Sequence, residues 1–334
     1  MTLLRGEPLV AVTRGDVVES VHDVAACAAD VNGTVSFALG TIDVPIYLRS
    51  SAKPFIAAAA IREGVAQRFH LEPKEIAVMA ASHDGEPYHI AAVRSILAKI
   101  GMDESALRCG SHPPYNAGAA LALKKANVGF SAVHNNCSGK HAGILALCKI
   151  LGADPATYLE ASNPAQQKIL ALCARASDED PAAWPVGVDG CGIPVYATPL
   201  KNAALAFARL ATLQGLEPED ARALETVRAA MIAYPEYVSG TGDLDAEVMH
   251  AGGGDIACKS GAEGVFAAAW ISRGIGLAVK VVDGASRARP PASIAILARL
   301  GALDPAAAPK LAALERPVVY NRAGRAVGAI RPLP

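Results

Sequence analysis

The sequence predicts an α+β protein, with one antiparallel sheet assembled from both ends of the chain and a helical lobe between them. Three observations lead there. β-forming segments fill residues 8–48 and return after about residue 261, apolar residues recur at helical spacing through the middle, and Gly or Pro punctuates nearly every segment. The chain has 334 residues, 52% of them hydrophobic and 19% charged, which is enough to bury a sizeable core and is not a composition of disorder. Aromatic residues are only 5%, which favours close-packed helices with small side chains over an aromatic-rich sandwich.

In chain order, PLVAV, DVVESVHDVAACAAD, GTVSFALG and VPIYLR read as strands, separated by turn signals at Arg14-Gly15-Asp16 and Asn32-Gly33. Helices are expected over 54–64, 72–82, 87–101, 140–152, 164–177, 200–215 and 217–234. Strands return as GVFAAAWIS and GIGLAVKVVDG, joined at Arg273-Gly274 in the manner of a hairpin, and a last helix follows over 290–304. Residues 1–334 are thus expected to form a single two-lobed unit. Approximately 1–53 and 255–334 make the sheet-containing lobe, and approximately 54–254 the mainly helical one.

Charge narrows the range of partners. A formal net charge of -1 without a long Lys/Arg run gives no electrostatic footprint for nucleic acid or an anionic membrane, so the expected partner is a small molecule. Arg5, Glu7, Arg14 and Asp16 interrupt any signal-peptide apolar region, and no 18-residue stretch is free of charge, which points to the cytoplasm. Seven cysteines at irregular spacing read as reduced thiols, most of them small buried hydrophobes.

Three short motifs could carry nucleophilic chemistry. Ser50-Ser51-Ala52-Lys53 puts a hydroxyl and an ammonium on one helical face three residues apart, so that a lysine deprotonated by its surroundings takes the serine proton. The alternative there is a capping serine beside a solvated lysine. Ser82-His83-Asp84 follows an apolar helix and reads alternatively as an ordinary N-cap. Lys259-Ser260-Gly261 lies immediately before GVFAAAWIS, where Gly261 lets a substrate approach a strand edge closely. A chain of this composition would hold roughly 0.08 such Lys-[Ser/Thr]-Gly tripeptides by chance. In order, the three resemble the S-x-x-K, S-x-N and K-T-G elements of active-site-serine β-lactamases and penicillin-binding proteins, with Asp84 in place of the Asn.

Two further clusters place a cysteine beside glycine in a loop: residues 134–143, HNNCSGKHAG, and 188–194, VDGCGIP. Cys137 and Cys191 could begin a zinc site completed by His134 or His141, or by a neutral Lys140 and water; otherwise they are buried loop thiols. Asp189 reads either as the first residue of an Asp-Gly turn or as a carboxylate for a substrate ammonium.

RSSAKP (49–54), ASHDGE (81–86), HNNCSGKHAG (134–143), GVDGCGIP (187–194), SGTG (239–242) and KSGAEGV (259–265) together resemble the L-asparaginase II family of the rhizobial type. The resemblance covers essentially the whole chain. It implies a fold similar to that of serine β-lactamases and glutaminases, and hydrolysis of L-asparagine to L-aspartate and ammonia by a homodimer. It also implies two Ser-Lys tandems, Ser50 with Lys53 and Ser82 with Lys259, with Ser50 the nucleophile. A zinc held by Cys137, Lys140 and Cys191, with Asp189 beside the substrate, belongs to the same implication, and Arg49, His141 and Gly261 are further candidate substrate-binding residues. Ser260 departs from the usual Lys-Thr-Gly.

The mechanism expected from these residues is attack of Ser50 Oγ on the side-chain amide carbon, Lys53 accepting its proton. Backbone N–H groups at Ser50 and on the strand after Lys259 would hold the oxyanion, an effect worth about 3 to 4 kcal/mol per donor. Ser82 and Lys259 would relay a proton to the departing ammonia, leaving a β-aspartyl ester for water, and the two lysines would depress each other's pKa. Zinc would organise the substrate's α-amino and α-carboxylate groups, because serine already supplies a nucleophile. Rival readings are a glutaminase, a β-lactamase or D-Ala-D-Ala peptidase, and a non-catalytic zinc-binding ligand sensor.

Overall fold

A computed structural model describes residues 3–334, apart from the side chain at position 308. Its strands are β1 (Glu7–Arg14), β2 (Val17–Ala29), β3 (Val35–Leu39), β4 (Pro45–Tyr47), β5 (Val186–Val188), β6 (Pro194–Pro199), β7 (Ile256–Gly261), β8 (Val265–Trp270), β9 (Ile275–Val281), β10 (Val318–Tyr320) and β11 (Ala326–Pro332). Its helices are α1 (Lys53–Arg62), α2 (Val65–Arg68), α3 (Pro73–Met79), α4 (Pro87–Lys99), α5 (Ala117–Lys125), α6 (Ser138–Leu151), α7 (Pro164–Ser177), α8 (Leu200–Thr212), α9 (Pro218–Ala233), α10 (Pro235–Val238), α11 (Leu244–Ala251), α12 (Arg289–Arg299) and α13 (Ala308–Glu315). The chain divides into two compact units.

The first unit comprises the chain through Ser51, Thr198–Thr212 and Glu247–Pro334. Its strands pair in the order β10-β11-β1-β2-β9-β8-β7, with β3 also on β2, so both ends of the chain share one antiparallel sheet as their alternating patterns predict. The second half of β2, VAACAA, is wholly buried and pairs with β9 in the register Ala26↔Val279. Small residues make this layer thin. A Cβ on Gly276 would fall 1.9 Å from the carbonyl oxygen of Ala204, so α8 lies against β9 at a distance that only glycine permits. That helix falls within the stretch whose periodicity suggested a helical lobe, but its apolar face belongs to the sheet. Lys259-Ser260-Gly261 does not precede the hairpin as a loop: it is the end of β7, a strand that the run IACKSG hides because no polar residue alternates with its apolar ones until Lys259.

The second unit comprises Ala52–Ala197 and Leu213–Ala246. At its centre is α1, whose Phe55–Ile61 run is buried and which packs on α6, α7 and α9. A helix apolar on every side, FIAAAAI, has to be internal, and its alanines let three neighbours approach. Three further contacts bring the loops of the site into register. The α6 helix crosses α3 where a Cβ on Gly139 would sit 2.1 Å from the carbonyl oxygen of Val78. Ser82 N–H donates to the carbonyl oxygen of Val238 and Asp84 N–H to that of Ser239, which ties the ASHDGE loop to SGTG. The antiparallel β5–β6 ribbon turns at Asp189–Ile193, with Gly192 at φ +91°.

Candidate active site

Four elements of the second unit present the chemistry. The first residue of α1 is Lys53, fully buried (0% exposed), whose Nζ donates to the carbonyl oxygen of Ala81 at 2.5 Å and to Ser82 Oγ at 2.9 Å. The structure therefore joins one residue of the first motif to one of the second. Ser82 is held by its own N–H bond to Val238, and beside it His83 Nδ1 accepts from Gly85 N–H while its Nε2 donates to Ser138 Oγ. Ser138 in turn donates to the carbonyl oxygen of Val133, which sets that direction. Burial holds the His83 pKa well below the ordinary imidazole range, so this ring is a neutral strut between two motifs.

The N-terminus of α6 supplies Cys137, Lys140 and His141, and the turn after β5 supplies Asp189 and Cys191. Lys140, 2% exposed, places Nζ 2.9 Å from Cys191 Sγ and 3.9 Å from Asp189 Oδ2. The Cys191 thiol also faces Asp189 Oδ2 at 3.6 Å. The two cysteines share a hydrogen bond: donation from Cys191, then the nearby ammonium of Lys140, holds Cys137 well below the usual thiol range, while the same bond and burial push Cys191 up. Cys137 is also the N-cap of α6, where a helix end favours a thiolate. Although burial opposes its charge, Lys140 stays firmly protonated because two sulfurs and Asp189 surround it. Asp189 takes the turn reading, its Oδ1 accepting from Gly190 N–H, while its other oxygen faces Lys140.

His141 is fully buried, its Nδ1 2.7 Å from the Tyr158 hydroxyl, and burial followed by the Lys140 and Lys53 charges holds the imidazole well below its ordinary pKa. His134 is placed elsewhere: its Nδ1 accepts from Ser131 N–H in the preceding turn. Among the described residues no three His, Cys, Asp or Glu side chains gather as metal ligands. The groups that do gather are two cysteine sulfurs and the Lys140 nitrogen, which, once the lysine gives up its proton to a metal, suit a soft divalent ion such as zinc.

The first unit carries the remaining predicted residues. Lys259 is buried near the end of β7, with Nζ 3.1 Å from the carbonyl oxygen of Ser260. Ser51 Oγ donates to the Lys259 carbonyl at 2.8 Å, whereas the Ser50 side chain makes no hydrogen bond among the described residues. Arg49 adopts φ +51°, a conformation that a non-glycine residue holds only under constraint. The room left by Gly261 is occupied by the chain itself. A Cβ there would meet the Leu48 carbonyl oxygen at 2.6 Å and Ser51 Oγ at 3.0 Å, a packing reason that the motif alone does not disclose.

Tyr158 escaped the sequence reading, and His83 entered it only as the middle of Ser82-His83-Asp84, without a role. Tyr158 stands in no spacing that signals chemistry, and it meets His141 only because the 154–163 segment folds back onto α6.

A buried lysine on a serine hydroxyl, beside a cluster of thiols, amine and carboxylate, gathers groups able to move a proton and to hold a polar ligand. The family model of L-asparaginase II matches residues 10–332, and the chain belongs to that family. No curated protein matches it. Among solved structures it is similar to Mglu, with 16% identity, TM-score 0.40 and coverage of 87% of this chain and 70% of that one. It is also similar to Mglu in its L-glutamate binding form in the presence of 4.3 M NaCl, with 17% identity, TM-score 0.38 and coverage of 85% and 60%. The chain thus spans 60 to 70% of the length of these structures. Among the described residues no helix is long and apolar enough to cross a membrane.

Proposed function

We propose that the chain hydrolyses L-asparagine to L-aspartate and ammonia through a serine nucleophile, a lysine base and a covalent β-aspartyl ester, on a fold of the serine β-lactamase kind. The observation that carries this reading is the buried Lys53 amine 2.9 Å from Ser82 Oγ, in a chain of the L-asparaginase II family. Ser50 Oγ attacks the amide carbon and Lys53 takes its proton. The tetrahedral oxyanion collapses as the proton passes from Lys53 through the Ser82 hydroxyl to the nitrogen, which leaves as ammonia. Water then attacks the ester, its proton returning through Lys53 to Ser50. Lys259 and Arg49 are proposed for the same reaction on their motifs, Lys259 in proton transfer and Arg49 in substrate binding, while Gly261 serves it by letting β7 close on Leu48 and Ser51.

Zinc fits the donor set, and Cys137, Cys191 and Lys140 would hold it; bound there, it supplies a Lewis acid beside Asp189 that favours ordered binding of an amino acid's charged groups. Chelation is expected to raise KM for asparagine more than it lowers kcat, and kcat loss at unchanged KM would overturn that role.

The deciding experiment is ammonia release from L-asparagine, beside L-glutamine, by the wild type, Ser50→Ala and Lys53→Met. Asparagine turnover lost at least a hundredfold in both variants supports the proposal. Turnover surviving in Ser50→Ala moves the nucleophile to Ser82, preference for glutamine makes the chain a glutaminase, and hydrolysis of a chromogenic cephalosporin instead makes it a β-lactamase.

A further inference from the structure

The imidazole of His141 has one nitrogen accounted for and one open. Arg108 N–H donates to the Tyr158 hydroxyl oxygen at 2.7 Å, and the same oxygen lies 2.7 Å from His141 Nδ1. Were Nδ1 protonated, two donors would face that oxygen and the phenol's own proton would have no acceptor among the described residues. The phenol therefore donates to Nδ1. Its proton is secure, since burial pushes the Tyr158 pKa up. Tyr158 is itself fixed: its ring meets the imidazole edge to face at 86°, and its carbonyl oxygen accepts from the buried Gln166 amide at 2.7 Å.

This leaves the proton of His141 on Nε2, and that atom is buried without a hydrogen-bond partner. An unpaired buried N–H carries an uncompensated desolvation cost, the kind retained where a ligand oxygen is to be recognised. The open donor stands on α6 directly after Lys140, whose amine faces Asp189. An asparagine-class substrate brings acceptor oxygens of two kinds, the α-carboxylate and the side-chain carbonyl.

We propose that Tyr158 is a positioning residue that turns His141 so that Nε2–H is the donor to an acceptor oxygen of the amino-acid substrate. The assignment rests on the amidohydrolase reading above and adds to it the residue that sets the direction of one hydrogen bond. The relay runs from Arg108 N–H through the phenol to Nδ1, so that Nε2 can only give a proton to a bond and never accept one.

The test is long-range 1H–15N correlation of the histidine rings in the protein as purified, with His141→Ala identifying the signal, combined with kinetics. The expected spectrum has His141 protonated at Nε2 and bare at Nδ1, with the Nε2–H resonance moving on saturation with L-aspartate. Tyr158→Phe mixes or inverts the tautomer and lowers kcat/KM for asparagine about tenfold to a hundredfold, while His141→Gln, which keeps an N–H donor, retains more activity than His141→Ala. Loss in KM assigns the bond to the carboxylate, and loss in kcat to the carbonyl. A proton found on Nδ1, or a resonance indifferent to L-aspartate in an enzyme that turns over asparagine, overturns the proposal. So does an Nε2–H signal that emerges only after chelation, which would make the nitrogen a metal ligand. A wild type that hydrolyses neither asparagine nor glutamine is a different failure, that of the functional reading, and it removes the substrate from this assignment as well.

Discussion

Adjacent serines at 50 and 51 show how far residue type alone carries an argument. Both sit in the same turn, Arg49–Ala52, and both are candidates by composition, yet Ser51 is buried and spends its hydroxyl on the Lys259 carbonyl while Ser50 does not. Ser51→Ala is therefore expected to lower unfolding free energy by about 1 to 3 kcal/mol, because a buried carbonyl loses its donor. Ser50→Ala is expected to stay within about 0.5 kcal/mol of the wild type while abolishing turnover. Urea denaturation alongside the ammonia assay separates the two, and the reverse pattern would exchange their roles. Asp189 offers a second residue-level expectation. Its carboxylate contributes negative charge to the Lys140 cluster, so Asp189→Asn should raise KM for asparagine at least tenfold with a smaller effect on kcat, measured by initial rates across substrate concentration.

Helix α6 is the element on which the site depends. Its first turn carries Cys137, Lys140 and His141, and it can approach α3, which ends just before Ala81 and Ser82, only because Gly139 lacks a side chain. The obstacle to any larger residue is the Val78 backbone carbonyl, which no rotamer can avoid. Gly139→Ala is expected to cost more than about 2 kcal/mol and to reduce kcat with it, since the helices must part. Gly152 at the other end of α6 is a control: its φ of +63° is strained for alanine, but a Cβ there meets nothing within 4 Å. Gly152→Ala should cost about 1 kcal/mol and leave kcat unchanged, by thermal melts and the same assay. The helix itself was legible from residue 140 to 152, since ILALCKIL has strong apolar periodicity. Its true start at Ser138 was not, because the polar and glycine residues of the first turn serve the site and break the pattern.

For the whole molecule, buried histidines set the response to acid. His83 is held well below the ordinary imidazole range and His89 is pushed down to about 4, in both cases chiefly by burial. Above an unfolded pKa of about 6.5 both states are neutral and neither group alters stability. As pH falls further the unfolded chain takes up protons that the native rings refuse, so stability is lost at about 1.4 kcal/mol per pH unit for each ring, down to about pH 4 for His89. Urea unfolding at pH 7, 6 and 5 should show this slope, and His89→Gln should reduce it by one proton; an unchanged slope would mean that His89 is not buried neutral. At this scale the sequence determined the α+β class, the antiparallel sheet drawn from both chain ends, the central helices and the family, because hydrophobic period and contiguous motifs are local properties of a chain. Only the tertiary structure decided that Lys53 meets Ser82, that Ser51 is spent on Lys259, that α8 joins the sheet, and that Tyr158 sets the tautomer of His141. Each of those is a contact between segments whose spacing carries no period, selected by which small residues let two backbones come close and by which buried polar atoms had to find a partner.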